Sequence, residues 1–395
     1  MIGFTKLLCG VDLASDILRY QRRSDKLPSH LLQFSSDKKP VVVWNCTRRC
    51  NLHCVHCYSH SKDLAYEGEL TTEEAKSLID DLADFKIPVL LFSGGEPIMR
   101  KDLVELIDYT VNKGIRAVIS TNGTLITKDL AHELKKFNLS YVGVSLDGLE
   151  KVNDSFRGFK GAYDKAMEGI VNCQDAGIKV GLRFTMNQRN SMEIPGIFNL
   201  IEEQNIPRIC FYHLVYSGRG SALIKEDLTH EQTREAVDLI TEKTLDFHRR
   251  GIVKEILTVD NHADGVYLYL KMLKEDPGRA KEIHELLEMN GGNSSGHGIG
   301  CIGNTGDVHP DQFWRHILLG NVRERKFSEI WTDTRSNPFL SKLKEKKKWV
   351  TGRCHECHYL DLCAGGFRAR AEAVTGDKWA SDPACYLTDK EIGIG

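Results

Sequence analysis

The stretch "CTRRCNLHCVHCY" (residues 46–58) places four cysteines directly after the apolar run "VVVW" (41–44). Cys50, Cys54 and Cys57 have the spacing C-x3-C-x2-C, and Cys46 stands at the end of the predicted first strand. Three thiolates on one loop can hold three irons of a 4Fe–4S cluster and leave the fourth iron open to another ligand. A closed zinc site with Cys46 as fourth ligand is the alternative that this stretch alone leaves open.

Length and charge limit the classes of protein to consider. With 395 residues, 41% of them hydrophobic, the chain can form one large domain and a smaller one. A formal charge of -2 gives no general affinity for nucleic acid or anionic membranes. The N-terminus lacks the pattern of a signal peptide, and no apolar stretch is long enough to span a membrane. We therefore expect a cytoplasmic protein whose twelve cysteines stay reduced and serve as metal ligands or core residues.

Strand and helix patterns alternate from about residue 40 to about residue 215. The helical segment 71–85 opens with Thr71 and Glu74 at the spacing of a capping box. Such repeats predict a parallel sheet with right-handed crossovers. The predicted strands are short apolar runs at 41–45, 89–93, 115–120, 141–146, 179–186 and 208–215.

The remainder of the chain has a different character. Residues 222–290 read as mostly helical, and "NGGNSSGHGIG" (290–300) is a break rich in Gly and Ser. The part beyond it holds five of the twelve cysteines and little long periodicity, as expected of a small domain that a metal helps to fold. The predicted division is an N-terminal extension (1–39), a core (40–220), a helical connecting region (221–298) and a C-terminal domain (299–395).

Three loop motifs follow the second, third and fourth predicted strands: "SGGEP" (93–97), "STNGT" (120–124) and "SLDG" (145–148). Ligand sites of parallel α/β folds gather at such strand ends. Together with C-x3-C-x2-C, these motifs resemble the radical S-adenosylmethionine (SAM) superfamily. The resemblance implies a partial (β/α)6 barrel, a cluster on Cys50, Cys54 and Cys57, and no ligand role for Cys46. It also implies a SAM site formed by Gly94, Gly95, Glu96, Asn122, Ser145, Asp147 and Arg183.

Two arginines can be assigned either to the cofactor or to surface salt bridges. Arg183 in "LRFTM" and Arg157 in "FRG" are candidates for the SAM carboxylate, but either fits a surface salt bridge as well. The resemblance implies that an electron from the reduced cluster cleaves SAM, and that the resulting 5'-deoxyadenosyl radical takes hydrogen from the substrate. The electron would come from a low-potential donor such as ferredoxin or flavodoxin.

A second group of cysteines lies near the C-terminus. "CHECHYLDLC" gives Cys354, Cys357 and Cys363 as C-x2-C-x5-C, and Cys385 follows in "SDPAC". These positions resemble the SPASM, or twitch-like, extension of radical SAM enzymes, and imply an auxiliary 4Fe–4S cluster with four cysteine ligands. A zinc knuckle is the alternative. Phe367 stands where full SPASM domains carry another cysteine, so we expect two clusters in all, with Cys301 a free thiol or an irregular ligand. The remaining Cys9, Cys173 and Cys210 lie in apolar contexts and are expected to pack in the core.

Within the superfamily, the chain resembles the branch that modifies tetrapyrroles, which contains the haem d1-type enzymes and two enzymes of the siroheme-dependent haem pathway. Four stretches carry this resemblance: "IGFTKLLCG" at the start, residues 27–61, "YHLVYSGRG" (212–220) and "GGFRARAEAVTGDKWASDPAC" (365–385). The N-terminal segment is most similar to the deacetylase of the branch, which implies removal of two acetate side chains from 12,18-didecarboxysiroheme to give iron coproporphyrin III. The haem synthase of the same pathway is the competing interpretation.

An iron tetrapyrrole is flat, apolar and fringed by carboxylates, so its pocket should combine aromatic walls with guanidinium groups. Candidates are Arg219, Arg368 and Arg370, with surface arginines as the alternative. His213 or His309 is a candidate ligand of a substrate iron, although a lone histidine is more often a hydrogen-bonded structural residue.

Two other functional classes remain. A SPASM-bearing enzyme that modifies a ribosomal peptide would normally carry a peptide-binding element, and no strand-turn-strand pattern precedes residue 40. A non-enzymatic zinc scaffold is the third possibility, which iron and sulfide analysis after anaerobic purification distinguishes from both enzymes.

Overall fold

The computed structural model describes residues 1–20 and 39–395. Residues 27–38, which belong to one of the stretches that carry the tetrapyrrole resemblance, lie outside the described residues. The same holds for the later part of the N-terminal extension that the sequence predicts. The following account concerns the two described ranges.

The described strands form one sheet with the order β1-β8-β7-β6-β5-β4-β3-β2-β9-β10-β11. Strands β2 to β8 are parallel neighbours, and β9 adds parallel to the other side of β2. The eleven strands are β1 (Ile2–Gly3), β2 (Val41–Thr47), β3 (Val89–Gly94), β4 (Arg116–Thr121), β5 (Tyr141–Ser145), β6 (Val180–Met186), β7 (Arg208–His213), β8 (Glu255–Val259), β9 (Ile299–Ile302), β10 (Asp307–His309) and β11 (Gly320–Asn321).

Helices follow the parallel strands and cover the outer face of the sheet. The first long one begins where the sequence predicts, since the Thr71 hydroxyl accepts from the Glu74 amide at 3.2 Å and the Glu74 carboxylate accepts from the Thr71 amide at 2.8 Å. The described helices are α1 (Phe4–Cys9), α2 (Thr72–Asp84), α3 (Leu103–Asn112), α4 (Lys128–Lys136), α5 (Glu150–Arg157), α6 (Ala162–Asp175), α7 (Ile194–Glu203), α8 (His230–Arg249), α9 (Ala263–Glu275), α10 (Pro277–Asn290), α11 (Phe327–Thr332), α12 (Pro338–Lys344), α13 (Arg353–Glu356), α14 (Leu360–Cys363) and α15 (Arg368–Thr375).

All six predicted strands are present, and the predicted partial barrel is confirmed. The region 221–298, predicted as mostly helical, nevertheless contributes the seventh parallel strand, β8. Its five residues are all buried, which is typical of a parallel strand covered on both faces. A single five-residue strand between long helices has too short a pattern to be distinguished from the end of a helix.

Side chains alternate between the two faces of each strand. On the outer face, residues such as Val42 and Trp44 join the main core beneath the helices. On the inner face, the sheet presents separate small apolar groups, one around Tyr141 and one around Cys210 and Tyr212. This inner face lines the interior of the partial barrel.

The start of the chain packs against β8 at the edge of the parallel strands. Strand β1 pairs antiparallel with β8, and Arg19 forms buried ion pairs with Asp16 at 2.6 Å and with Glu255 at 2.8 Å. Glu255 is the first residue of β8, so this network lies at the end of the strand opposite to its carboxyl end. No helix in the described ranges is long and apolar enough to cross a membrane.

Candidate active site

The cysteine-rich loop begins as β2 ends. Cys50, Cys54 and Cys57 form one small group there, in which Cys50 is 7% and Cys54 9% exposed. Cys46 lies elsewhere: it belongs to the main core, is fully buried, and its thiol donates to the Ser93 carbonyl at 3.4 Å. The structure therefore brings together the three predicted ligands and separates Cys46 from them.

The "GGEP" loop after β3 holds the cysteine loop by its backbone. The Gly95 amide donates to the Thr47 carbonyl and the Glu96 amide to the Arg49 carbonyl, both at 2.8 Å. A Cβ atom on Gly94 would lie 2.1 Å from the Thr47 oxygen, and one on Gly95 would lie 2.2 Å from the Arg49 oxygen. The two glycines thus permit a close approach between two loops of the protein, whereas the sequence predicted an approach to the cofactor.

This packing predicts the effect of Gly95→Ala. The added methyl group meets rigid backbone at 2.2 Å, so the cysteine loop must shift. We expect the reconstituted variant to lose the iron of the cluster near Cys50 and to retain the iron of the C-terminal domain. Iron and sulfide analysis measures this, with Gly278→Ala as control, because a Cβ there meets only the flexible Asp276 carboxylate at 3.4 Å. Full iron content in Gly95→Ala would contradict this account.

Glu96 is fully buried beneath this loop. Its carboxylate accepts from the Thr121 hydroxyl at 2.7 Å, the Asn122 amide at 2.8 Å and the Ile98 amide at 3.2 Å. Burial raises the pKa of Glu96 to about 7 despite these hydrogen bonds. Since a carboxylate has about four acceptor positions, these contacts leave room for one further donor such as an ammonium group.

Asn122 links the loop after β4 to the cysteine loop. Its side chain donates to the Asn51 side-chain oxygen at 2.8 Å and accepts from the Thr124 amide and hydroxyl at 2.9 and 2.7 Å. Asn51 in turn donates to the Thr124 hydroxyl at 2.9 Å. Predicted as a cofactor residue, Asn122 is thus also a support for the turn between Cys50 and Cys54.

Asp147 and Arg157 form a buried ion pair, with 2.5 Å between Oδ2 and Nη2. The other oxygen of Asp147 accepts from the Thr185 amide at 2.7 Å, and the guanidinium of Arg157 also donates to the Cys54 sulfur at 3.6 Å. His56 Nε2 lies 3.3 Å from the same carboxylate. Asp147 therefore positions a cation beside a predicted cluster ligand, a role that its place at a strand end did not reveal.

Ser145 and Arg183 are paired neighbours on β5 and β6. The Arg183 side chain lies over Gly143, where a Cβ would come within 2.5 Å of Nε. Its guanidinium interacts electrostatically with Tyr212 and Tyr141, which belong to the two small apolar groups of the inner face. Arg183 has no ion-pair partner in the described part of the chain, so its charge is available to a carboxylate in the barrel.

The three thiols differ in their tendency to ionise. Burial raises the pKa of Cys50 to about 12 and also raises that of Cys54, which Arg157 opposes. Burial acts in the same direction on Cys57, but hydrogen bonds from Ser59 and the Ser61 backbone leave its pKa below the usual value. Iron must therefore supply the positive charge that ionises Cys50, as thiolate ligation requires.

The C-terminal cysteines converge on one small cavity, whose lining includes Cys354, Cys357, Cys363 and Cys385. Donors already point at three of the sulfurs: the Tyr359 amide at 3.3 Å from Cys357, the Gly365 amide at 3.3 Å from Cys363, and the Arg353 guanidinium at 3.4 Å from Cys385. Four thiols around one cavity fit a fully cysteine-ligated cluster, and such donors tune its potential. No three His, Cys, Asp or Glu side chains of the described residues are arranged to hold a single metal ion.

Phe367 and Cys301 both lie outside that cavity. Phe367 packs in a separate apolar group with Trp314 and stacks edge-on against Phe313 at 5.5 Å. Cys301 is on β9, opposite Val43 of β2, and its sulfur accepts from the Asn45 side chain at 3.4 Å. The geometry therefore places Cys301 in the barrel sheet and away from the four C-terminal thiols.

Arg219, a predicted substrate residue, contacts the cysteine loop. Its guanidinium donates to the Cys54 carbonyl at 2.7 Å and the Ser61 carbonyl at 3.0 Å, and its amide donates to the Cys57 carbonyl at 2.9 Å. The stretch "YSGRG" is thus a fourth support of the cluster loop. The buried Nη2 atom of Arg219 has no hydrogen-bond partner among the described residues.

Arg368 and Arg370 are almost completely buried in the C-terminal domain. Arg368 donates to the carbonyls of Gly365 and Ala380. Arg370 forms a two-pronged ion pair with Asp382 at 2.9 and 3.0 Å, and also donates to backbone carbonyls. These contacts are structural, and substrate binding by either arginine stays a prediction.

The two histidines are also engaged within the protein. His213 Nε2 bonds to Asp264 at 2.8 Å, and Asp264 accepts in addition from the Tyr386 hydroxyl at 2.9 Å. His309 Nδ1 donates to the Ile317 carbonyl at 2.8 Å. Such contacts fix the tautomer of a ring and are typical of structural histidines as well as of metal ligands.

The comparisons with known proteins agree with this geometry. The profile of the Radical SAM superfamily matches residues 44–201, and an iron-sulfur cluster-binding domain, SPASM, matches residues 298–358. Over its whole length the chain is 63% identical to Fe-coproporphyrin III synthase of Methanosarcina barkeri, covering 99% of that protein. The chain belongs to the radical SAM superfamily. Its core binds a 4Fe–4S cluster and S-adenosylmethionine, and its SPASM domain binds additional iron–sulfur clusters.

Other relatives confirm the predicted branch and fold. The radical SAM chain is 42% identical over 90% of its length to pre-heme d1 synthase of Dinoroseobacter shibae, covering 88% of that protein. It is 32% identical over 91% of its length to AdoMet-dependent heme synthase of Nitratidesulfovibrio vulgaris, covering 96%. The crystal structure of Streptococcus suis SuiB bound to S-adenosylmethionine has the same fold, with a TM-score of 0.71 at 18% identity over 91% of this chain and 80% of that one.

Sequence reasoning missed two buried carboxyls, Asp260 after β8 and Asp311 after β10. Asp260 follows a strand that was not predicted, so its place at a strand end was not visible. Asp311 follows "VHP" (308–310), a stretch in which the sequence indicated only His309 as a candidate site residue. The inward-facing Tyr141 and Tyr212 were likewise read as strand residues with no site role.

Proposed function

We propose that this radical SAM enzyme removes the two acetate side chains of didecarboxysiroheme and releases iron coproporphyrin III. The observation that carries the proposal is the 63% identity, over the whole chain, to a protein whose name gives this product. Identity to the heme synthase from Nitratidesulfovibrio vulgaris is half as high, at 32%. The difference favours formation of iron coproporphyrin III over its consumption.

The chemistry of the leaving group supports a radical route. Each acetate is attached to a saturated ring carbon that also bears a methyl group, so acid–base catalysis has no polar leaving group to act on. When bound, the cluster and SAM supply a 5'-deoxyadenosyl radical that takes a hydrogen atom from the substrate. Loss of the acetate fragment then restores ring conjugation, and two rounds consume about two SAM molecules per macrocycle.

The protein positions the cluster, SAM and the substrate relative to one another. In our proposal Cys50, Cys54 and Cys57 hold the core cluster, and Gly94, Gly95, Glu96, Asn122, Ser145 and Asp147 build the surrounding loops and the SAM site. Arg183 binds a carboxylate in the barrel, since it lies on the inner side of β6 over Gly143 and has no ion-pair partner among the described residues. Tyr212, on the neighbouring strand β7, offers aromatic surface of the kind that a flat macrocycle requires. A low-potential carrier of the ferredoxin or flavodoxin class delivers the electrons.

The test is to incubate the reconstituted enzyme anaerobically with SAM, a reductant and one porphyrin at a time. We expect didecarboxysiroheme to lose two acetates and iron coproporphyrin III to accumulate, as followed by mass spectrometry. Heme synthase activity predicts the opposite, namely disappearance of iron coproporphyrin III and formation of haem. That result would refute the deacetylase assignment.

A further inference from the structure

Two glycines lie side by side on the inner face of the barrel. Gly143 of β5 and Gly181 of β6 are paired in the parallel register, and both are buried. The neighbouring Val142 and Leu182 belong to the core beneath the helices, so the glycines face the interior, because side chains alternate along a strand. Glycine weakens the interior of a strand and often marks a place where another group approaches the backbone closely.

The side chain of Arg183 makes that approach at Gly143. A Cβ atom on Gly143 would lie 2.5 Å from Nε of Arg183, 3.2 Å from Cζ and 3.3 Å from Nη2. Arg183 is paired with Ser145, two residues further along β5 than Gly143. At about 3.3 Å per residue, the guanidinium therefore lies about 7 Å nearer to the amino ends of the strands than the backbone of Arg183 does.

Gly181 accommodates a different side chain. A Cβ atom there would lie 2.2 Å from the hydroxyl of Tyr141. The ring of Tyr141 is covered by Arg208, whose Cζ lies 5.0 Å from the ring centroid, and Arg208 has Glu255 at 3.6 Å. The neighbouring cation thus has a carboxylate within the protein, whereas Arg183 has none in the described part of the chain.

Arg183 has donors to spare. A guanidinium carries five N–H groups, yet no hydrogen bond or ion pair joins this half-buried side chain to another described residue. Ser120 of β4 is paired with Gly143 on its other side, and its hydroxyl also lacks a hydrogen bond within the described ranges. Half-buried donors of this kind favour a ligand with anionic oxygens.

The depth of the guanidinium selects among the carboxylates of the macrocycle. The loops predicted to bind SAM follow the carboxyl ends of β3, β4 and β5, and Ser145 is the last residue of β5. The acetates that leave must face that edge, and each has a single methylene. A propionate has two methylenes and stays on iron coproporphyrin III, so it suits an anchor that lies about 7 Å below the edge.

We propose that Gly143 holds Arg183 in this folded-back position, where the guanidinium and the Ser120 hydroxyl bind a propionate of the macrocycle. The inference rests on the proposed function for the identity of the macrocycle. Gly143 is a positioning residue, because it acts only through Arg183. Since the propionate is retained, the same contact orients the ring during both acetate removals and is still present in the product.

The first experiment titrates the reconstituted enzyme with iron coproporphyrin III and, separately, with its methyl ester, in which every carboxylate is neutral. The preference for the free acid, measured by visible absorption, should fall by about 10- to 100-fold in Arg183→Gln and in Gly143→Ala. The affinity for SAM should not change. An unchanged preference, or no binding of the free acid to the wild-type enzyme, would overturn the proposal.

A loss of SAM affinity with the porphyrin preference intact would instead assign Arg183 to the SAM carboxylate, and would equally overturn the proposal. The titration requires neither SAM cleavage nor turnover, so it remains decisive if the enzyme releases no acetate and the proposed function fails. Arg183→Gln leaves the strand backbone unaltered and decides the carboxylate contact even if Gly143→Ala loses its iron.

A double variant tests whether Gly143 acts through Arg183. Adding Gly143→Ala to Arg183→Gln should lower the preference for the free acid no further, because no guanidinium is left to displace. Gly181→Ala is the matched control, since its methyl group meets the Tyr141 hydroxyl at 2.2 Å and should leave the preference intact. Additive losses in the double variant, or an equal loss in Gly181→Ala, would show general damage to the sheet and would refute the role of Gly143.

Discussion

Replacing Cys50, Cys54 and Cys57 together by alanine should abolish 5'-deoxyadenosine formation and remove about four of about eight iron atoms per chain. The three thiols form one group on the loop after β2, and that loop is supported from β3, β4, α5 and the segment after β7. Each support is a backbone contact or a side-chain contact that is at least partly buried, so the protein can present the thiols without metal. SAM cleavage measured by chromatography in the triple variant would refute the assignment.

Cys46→Ser is the internal control for the triple variant. Cys46 is fully buried in the main core, and its thiol reaches only the Ser93 carbonyl. A hydroxyl can keep this hydrogen bond, so we expect full iron content and a loss of stability of about 1–2 kcal/mol. Iron loss equal to that of a Cys54 variant would show that the fourth cysteine is a ligand.

Local pattern was sufficient to predict the main strands. The runs at 41–45 and 141–146 are apolar on both faces. Where such short runs alternate with helical segments, a buried parallel strand is the structure that they indicate. Local pattern was not sufficient for β1 and β8, which pair with each other across more than 250 residues of sequence. Two-residue and five-residue strands depend on that long-range pairing and carry no periodicity of their own.

The same distinction applies to the site. Sequence alone predicted the cysteine ligands, the glycines and Glu96, because each belongs to a motif of a few consecutive residues. The contact of Arg157 with Cys54 and Asp147 joins three separate segments, and sequence showed only a choice between cofactor binding and a surface salt bridge. Asp260 is buried directly after β8, a strand with no signal of its own in the sequence, so its place at a strand end was not visible either.

The C-terminal domain should hold one cluster, and this expectation has the second largest measurable effect. Four thiols line a single cavity, with donors already placed at Cys357, Cys363 and Cys385. Changing Cys354 and Cys357 together to alanine should therefore lower the iron content from about eight to about four per chain. Binding of SAM should persist, because the loops that surround Cys50 make no use of this cavity.

The alternative is a third cluster, and the number of iron atoms per chain decides whether it is present. Full SPASM domains hold it with a cysteine at the position of Phe367, but here that side chain packs edge-on against Phe313 beside the buried Trp314. Cys301, the remaining thiol of the C-terminal region, is in the barrel sheet and accepts from Asn45. Since apolar rings occupy the place of a ligand, we expect about eight irons in the wild type. About twelve irons per chain, with about eight left in the double variant, would mean that this reading of Phe367 and Cys301 is wrong.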